Sequence, residues 1–212
     1  MVVIDISAET HKDFVTWDGV EFGYEPKLTS QISQGEVCNV SIIHQGAHTG
    51  THMDAPHHFV EHGKTIEELD LNVLVGPVEV VELYGRPVLS ASDFEGLNLP
   101  ADTQRVLVKT DNTLRRLIHD AKFHKDYVGV GPDAAEWLVE RGIKVIGVDY
   151  LSVGPYGDDN IQTHRTLLGN DVVVIETLDL GHVNAGQYTL VAVPPRLKGL
   201  EGAPVRAILI QD

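Results

Sequence analysis

Histidines and one aspartate are concentrated in a short stretch of this sequence, and both residue types bind metal ions. The stretch covers residues 48–59 and reads HTGTHMDAPHHF. Six of the eleven histidines of the chain lie within nineteen residues, namely His44, His48, His52, His57, His58 and His62. Neutral imidazole is the commonest protein ligand of transition metals, and carboxylate is its usual companion at zinc. The stretch therefore predicts a metal centre.

The spacing of these side chains determines how they can converge. His48 and His52 are four residues apart and would share one face of an α-helix, but Gly50 and Pro56 disfavour a helix here. In an extended chain, alternate residues share a face. We therefore predict an extended segment that directs His48, His52, Asp54 and His58 to one point. The alternative interpretation is a histidine-rich surface loop, or core histidines paired with carboxylates.

Length and charge limit the classes of protein to which the chain can belong. With 212 residues, of which 42% are hydrophobic, it can bury one sizeable core. We predict a single domain over residues 1–212. Acidic residues outnumber basic ones by 31 to 16, giving a formal charge of −15, and no basic run stands out. This argues against nucleic-acid binding, which needs a basic surface.

The single cysteine and the lack of long apolar runs bear on location. Cys38 rules out an internal disulfide bond, and unpaired thiols are typical of a reducing compartment. The apolar neighbours of Cys38 predict a small buried side chain. No apolar run reaches the length that spans a bilayer, and the first residues lack the positive region of a signal peptide. We predict a cytoplasmic protein without a membrane partner.

Strand patterns dominate the chain, and short helical patterns separate them. Apolar or alternating runs predict strands over 2–6, 37–43, 78–83, 105–110, 144–149, 172–176, 188–193 and 205–210. Helical patterns predict a helix over 131–140, a short helix over 90–94 and single turns over 65–69 and 163–168. Gly76 and Pro77 predict a break, and 152–162 predict a loop. A helix followed by a buried strand, as over 131–149, is typical of the α/β class.

Two residues in the second half of the chain could complete the centre. His164 begins a predicted helical turn after a flexible loop, and Glu176 ends a strand that is otherwise apolar. A glutamate at such a position is most often only the exit of the strand to solvent. The residues alone leave both roles open.

Residues 48–58 resemble the H-x-G-T-H-x-D-x-P-x-H motif of the cyclase-like metal-dependent hydrolases. This family includes bacterial kynurenine formamidase and isatin hydrolase. The likeness continues through residues 142–149 with Ser152, 164–168, 175–178, 193–197 and 202–207, so it covers nearly the whole chain. It implies a strand-rich, swivelling β/β/α fold and a homodimer or homotetramer.

The resemblance also implies roles for single residues. His48, His52 and Asp54 match the ligands of a first metal ion, and Asp54 bridges to a second ion held by His164 and Glu176. The implied cofactor is Zn²⁺, two ions per subunit, with Mn²⁺ as the alternative.

Two further residues match positions that act on the substrate. His58 matches the family's proton-transfer residue. Trp17 falls where kynurenine formamidases place a tryptophan against the substrate ring, although it precedes Asp18 where proline is commoner. The roles of His44, His57 and His62 stay open.

The implied reaction is hydrolysis of a small aromatic amide by metal-activated water. Arylformamidase activity of the kynurenine formamidase type is the leading hypothesis. The alternative enzymatic activity is hydrolysis of a cyclic amide or lactone, as by isatin hydrolase. A non-catalytic metal- or metabolite-binding protein on the same scaffold is the alternative of another class.

Overall fold

Thirteen strands form most of the regular structure in residues 1–19 and 22–211, the part of the chain that a computed structural model describes. The strands are β1 (Val2–Asp5), β2 (Tyr24–Ser30), β3 (Val40–Gln45), β4 (His52–Asp54), β5 (Val75–Glu82), β6 (Val88–Leu89), β7 (Arg105–Lys109), β8 (Gly129–Val130), β9 (Val145–Val148), β10 (Val173–Glu176), β11 (Gly186–Ala192), β12 (Gly202–Pro204) and β13 (Ala207–Gln211). The helices are α1 (Leu71–Leu74), α2 (Ala91–Glu95), α3 (Asp111–Leu114), α4 (Pro132–Glu140) and α5 (Asp158–Gly169). Short 3-10 turns cover Trp17–Gly19, Ile32–Gln34, Pro56–His58, Ile66–Glu68 and Leu117–His119.

Nine of these strands form one mixed sheet in the order β1-β13-β11-β5-β7-β9-β10-β4-β12. The central pairs β5–β7, β7–β9 and β9–β10 are parallel. The other pairs are antiparallel, and β4 is antiparallel to both β10 and β12. Only residues 205 and 206 separate β12, at one end of the sheet, from β13 near the other end. The sheet therefore has to curl until its ends come close.

Both faces of the central strands are buried. On β7, Val106 and Val108 pack with α4 and α5 in one apolar cluster, whereas Leu107 packs in a second cluster on the opposite face. The second cluster joins Leu209 of β13 to Ala203 of β12, as the curl requires. Continuous apolar strands are typical of parallel sheets covered on both sides. The predicted strand-rich α/β class is confirmed.

The predicted chain break at Gly76 and Pro77 is wrong, because both residues lie inside β5. There they pair with Leu190 and Thr189 of β11, while pairing with β7 on the other side starts only at Glu79. Proline lacks a backbone N–H and is tolerated where one side of a strand is unpaired. The strand can therefore contain Pro77 without losing a hydrogen bond to β7.

The helix that carries His164 is longer than predicted. The sequence predicts one turn over 163–168 after a loop, but α5 starts at Asp158. Its buried positions follow the helical spacing i, i+3, i+4, i+7, i+8 and are Asn160, Thr163, His164, Leu167 and Leu168. Two acidic residues in the first turn favour the helix through its dipole, although they make the segment look like a loop in sequence.

The prediction that Cys38 is buried is wrong. The side chain is exposed and lies between β2 and β3, which form a separate two-stranded ribbon. The strand predicted over 37–43 is β3 and starts at Val40, because 36–39 turn the chain at the end of the ribbon. The apolar residues of β3 do not pack on the two main clusters. An apolar sequence therefore does not lead to a buried segment here. No helix among the described residues is long and apolar enough to cross a bilayer.

A buried carboxylate holds the ends of two parallel strands together. Asp149 follows β9 and is 1% exposed. It accepts hydrogen bonds from the backbone N–H and hydroxyl groups of Thr110 and Thr113 and from the amide of Asn112, all beyond the end of β7. Residues 150–153 follow directly, so Asp149 fixes the start of a loop that reaches the candidate site.

We expect Asp149→Ala to lower the free energy of unfolding by about 3 kcal/mol or more, because it leaves several buried donors unpaired. Urea unfolding followed by circular dichroism measures the change. Asp102→Ala, at an exposed aspartate, is the control and should change stability by less than about 0.5 kcal/mol. Equal effects of the two substitutions would contradict the anchoring role of Asp149.

Candidate metal centre

Strand register brings the first two candidate ligands together. In the pairing of β4 with β10, His52 lies directly opposite Glu176. Side chains of directly opposed residues on antiparallel strands project from the same face and are close. The His52 Nε2 atom is accordingly 3.2 Å from Glu176 Oε2 and 3.6 Å from Asp54 Oδ1.

Helix α5 adds the third element of the cluster. The His164 Nε2 atom is 3.2 Å from Glu176 Oε1 and 3.8 Å from Asp54 Oδ2. The ring of Phe59 stacks on the ring of His164, with 4.4 Å between centroids. The structure thus brings His164 and Glu176 to Asp54, although 110 residues or more separate them from it in sequence.

His48 and His58 reach the cluster by a route that the sequence did not predict. The extended run expected over residues 48–58 is wrong, since β4 covers only 52–54. Gly50, at φ 75°, turns the chain before β4, and Pro56 starts a 3-10 turn after it. His48 Nδ1 lies 2.9 Å from Asp54 Oδ1, and the His48 and His58 rings stack at 4.1 Å.

Two atoms at the centre of the cluster are buried without a hydrogen-bond partner among the described residues. They are His52 Nε2 and Asp54 Oδ2. The Nδ1 atoms of His52 and His164 donate to the backbone carbonyls of Gly50 and Asn160, both at 2.8 Å. These bonds leave both Nε2 lone pairs directed at the carboxylates. Buried polar atoms are normally satisfied, and a lone pair beside a carboxylate oxygen is a donor set that fits a bound metal cation.

The separations between the donor atoms fit shared metal ions. Nitrogen and oxygen ligands lie about 2.0–2.2 Å from zinc, which puts two ligands of one ion about 3–3.5 Å apart. The ligand atoms form two groups, each within 4.8 Å. One contains His48, Asp54 and His58, and the other contains His52, Asp54 and Glu176. Asp54 is common to both groups, as a bridging carboxylate would be.

The charges in the cluster are strongly interdependent. Burial alone would raise the pKa of Asp54, but the hydrogen bond and charge of His48 hold it well below its usual range. Burial and the charge of Asp54 act to raise the pKa of Glu176, but the close imidazoles of His164 and His52 outweigh them and lower it. Both carboxylates are therefore ionised, as metal ligands must be.

The two stacked histidines are shifted in opposite directions. Burial opposes the charged form of His48, but Asp54 outweighs it and raises the pKa to about 9. Burial lowers the pKa of His58, and the attraction of Asp54 does not compensate. His58 is therefore neutral near pH 7, and its nitrogen can accept either a proton or a metal ion.

A cavity of about 440 Å³ opens over the cluster. Its floor includes His58, His164 and Glu176, and Trp17 stands in its wall. The indole ring packs against Phe123 and two tyrosines, with 5.0 Å between its centroid and that of Phe123. Trp17 is therefore held by packing and still faces the cavity.

One residue near the centre was not predicted from the sequence. Glu201, just before β12, places its Oε1 atom 3.2 Å from His48 Nε2. Its position follows from the pairing of Gly202 with Asp54, and β12 has no sequence pattern of its own that predicts a strand. Of the unassigned histidines, His44 and His62 are exposed, and His57 is half-buried.

Comparison with known proteins identifies the family. The family model described as "Putative cyclase" matches residues 4–155. "Cyclase-like protein 3" of Arabidopsis thaliana is 39% identical over 216 residues, covering 99% of this chain and 79% of that protein. "Kynurenine formamidase" of Bacillus cereus (strain ATCC 10987 / NRS 248) is 35% identical over 209 residues, covering 97% of this chain and 96% of that protein.

Solved structures agree with these matches. One, described as "The Structure Of Potential Metal-Dependent Hydrolase With Cyclase Activity", has a TM-score of 0.82 and 33% identity, covering 98% of this chain and 96% of that one. An isatin hydrolase bound to the product analogue thioisatinate has a TM-score of 0.83 at 22% identity, covering 99% and 92%, and shares the fold. The chain belongs to the cyclase family, and the family predicted from residues 48–58 is confirmed.

We expect Glu176→Gln to lower Zn²⁺ binding to the purified protein by at least about tenfold, because it removes a charged donor from one group of ligands. Isothermal titration and elemental analysis measure affinity and the number of ions. Glu136→Gln, at an exposed position of α4, is the control. Unchanged affinity and stoichiometry in Glu176→Gln would exclude Glu176 as a ligand.

Proposed function

We propose that this member of the cyclase family is a metal-dependent hydrolase of C–N bonds other than peptide bonds, and that it cleaves the formamide bond of a small aromatic substrate. The observation that carries the proposal is the shared position of Asp54 between two groups of donor atoms beneath the cavity. The 35% identity to a kynurenine formamidase over nearly the full length of both chains supports this substrate class.

Five side chains would hold the ions. By the family motif we assign His48, His52 and Asp54 to the first ion, and Asp54, His164 and Glu176 to the second. The donor atoms themselves group differently, with His58 beside His48 and Asp54, and His52 beside Asp54 and Glu176. Imidazole with carboxylate suits Zn²⁺, which we propose at two ions per subunit, and Mn²⁺ is the alternative. Divalent ions in such a centre lower the pKa of water toward neutrality and polarise a carbonyl oxygen.

We assign the proton transfer to His58. Its imidazole is neutral near pH 7 because burial lowers its pKa. It can therefore take a proton from the attacking water and return it to the leaving nitrogen of the amide. The stacked ring of His48 restricts the plane of the His58 ring.

Trp17 would bind the aromatic part of the substrate. The cavity volume of about 440 Å³ suits a compound with one or two rings, and the indole face offers a stacking surface. The packing of Trp17 on Phe123 and Tyr127 keeps the indole in place before substrate arrives.

Parallel assays with N-formylkynurenine and isatin test the substrate class. We expect the purified protein, supplied with Zn²⁺ or Mn²⁺, to hydrolyse N-formylkynurenine and to lose this activity with a chelator. No turnover of N-formylkynurenine with either metal would remove the formamidase assignment. Turnover of isatin alone would assign cyclic-amide hydrolysis, and metal binding without turnover of either would indicate a binding protein.

The same assay separates proton transfer from metal binding. His58→Ala should keep its metal and lose about 10²–10⁴-fold in kcat, the usual contribution of a positioned acid–base group. His62→Ala, at an exposed histidine, should behave as the parent protein. Loss of metal from His58→Ala would instead make His58 a ligand, and unchanged kcat would exclude both roles.

We also propose a homodimer or homotetramer, a cytoplasmic location and one domain over residues 1–212. The ribbon of β2 and β3 supports the assembly, since Leu28, Ile42 and Ile43 are each about half exposed or more and an isolated ribbon is barely stable in water. Light scattering measures the mass in solution, and a mass of one chain would contradict the assembly.

A further inference from the structure

The ring nitrogens of the three proposed histidine ligands, His48, His52 and His164, do not have the same kinds of hydrogen-bond partner. The rings of His52 and His164 each donate Nδ1–H to a backbone carbonyl oxygen. A carbonyl oxygen only accepts, so the tautomer of both rings is set, and Nε2 is the ligand atom. Among the described residues, His48 has no such carbonyl partner. Its two ring nitrogens face carboxylates instead, Asp54 at Nδ1 and Glu201 at Nε2.

We propose that Glu201 is the positioning residue of His48, and that its carboxylate accepts the Nε2–H so that Nδ1 is the nitrogen presented to the metal. This inference rests on the proposed metal centre. A histidine ligand almost always donates its second ring N–H to a fixed acceptor, which sets both tautomer and ring orientation. Asp54 lies on the Nδ1 side at 2.9 Å and Glu201 on the Nε2 side at 3.2 Å. Because Glu201 accepts the Nε2–H, the nitrogen left to bind the metal is Nδ1.

The backbone holds Glu201 in this place. Ala55 N–H donates to the carbonyl oxygen of Glu201 at 2.8 Å, and the next residue, Gly202, pairs with Asp54. The pairing of β4 with β12 thus fixes the backbone of Glu201 relative to the histidine-rich motif. The Glu201 side chain is 37% exposed and approaches the His48 ring, which is 16% exposed, from the solvent side.

Gly202 explains how the ring can lie so close to this strand. A Cβ atom at residue 202 would come within 2.7 Å of His48 Cε1, the carbon between the two ring nitrogens, and within 3.0 Å of the Met53 carbonyl oxygen. The glycine therefore leaves room for the edge of the ring, while the His58 ring stacks on its face at 4.1 Å. Glu201 therefore contacts the Nε2 atom of His48, and Gly202, which has no side chain, leaves room for the His48 ring.

Loss of the positioning residue should weaken metal binding without removing a ligand. Substitution of such outer groups costs about 10–100-fold in metal affinity. We expect Glu201→Ala to bind Zn²⁺ about 10–100-fold more weakly than the parent protein. Glu201→Gln keeps an acceptor oxygen without the charge, so its loss should be smaller. Gly202→Ala should weaken binding with Glu201 intact, because its methyl group displaces the ring.

The test measures metal binding directly. Zn²⁺ affinity is determined by competition with a chromophoric chelator, and Co²⁺-substituted protein is examined by proton NMR for the shifted, exchangeable N–H signals of bound histidines. We expect Glu201→Ala to bind one ion more weakly and to lose, or exchange rapidly, one of these signals. The control, Glu61→Gln at an exposed carboxylate close to the motif, should change neither.

The outcomes separate this inference from the proposed function. If the parent protein binds neither Zn²⁺ nor Co²⁺, the proposed metal centre itself is wrong. If the parent binds them, and Glu201→Ala keeps its affinity and all shifted N–H signals, only the role of Glu201 is refuted. Circular dichroism of the metal-free variants shows that they are folded.

Discussion

The carboxylate of Asp54 is completely buried, and an ionised carboxylate in a protein interior costs several kcal/mol unless cations or donors compensate it. Three imidazoles surround it, on a turn, on β4 itself and on helix α5. The second carboxylate, Glu176, enters from the neighbouring strand. The whole cluster depends on the register of β4 between β10 and β12, because a shift by one residue would reverse the faces of its side chains.

The position of the cluster follows from the architecture of the sheet. In open α/β sheets, ligands bind beyond the carboxyl ends of parallel strands. Glu176 is the last residue of β10, and the loop after β9 donates the N–H of Val153 to the Glu176 carboxylate at 2.7 Å. The same loop contributes Leu151 and Ser152 to the cavity wall. The parallel centre of the sheet thus supplies the cavity, and the antiparallel β4 brings in the histidine-rich motif.

The sequence predicted the components of the centre better than their conformation. The motif residues, His164 and Glu176 were all selected as candidates, since imidazole and carboxylate side chains are easy to recognise and the family motif is specific. The extended run was wrong, because a glycine with positive φ and a proline allow turns on both sides of a three-residue strand. Alternation over such a short strand cannot be read from the chain alone.

The remaining errors in the sequence predictions share one physical cause. In each case the position of the residue depends on which distant strands pair or pack. Pro77 fits into β5 only because β7 pairs further along the strand. Cys38 is exposed because the ribbon that carries it does not pack on the main clusters. Glu201 gains its position from the pairing of β12 with β4. None of these partners is visible in the local sequence.

The pairing of β12 with β4 also has a consequence for biosynthesis. His48 and Glu201 are separated by 153 residues, so this contact closes one of the longest loops in the chain. Contacts of such high contact order form late, since loop-closure entropy opposes them until the rest has collapsed. During translation, the histidine-rich segment leaves the ribosome long before its partner strand exists. During that interval the imidazoles of the motif lack the carboxylates of Glu176 and Glu201, which face them in the folded chain.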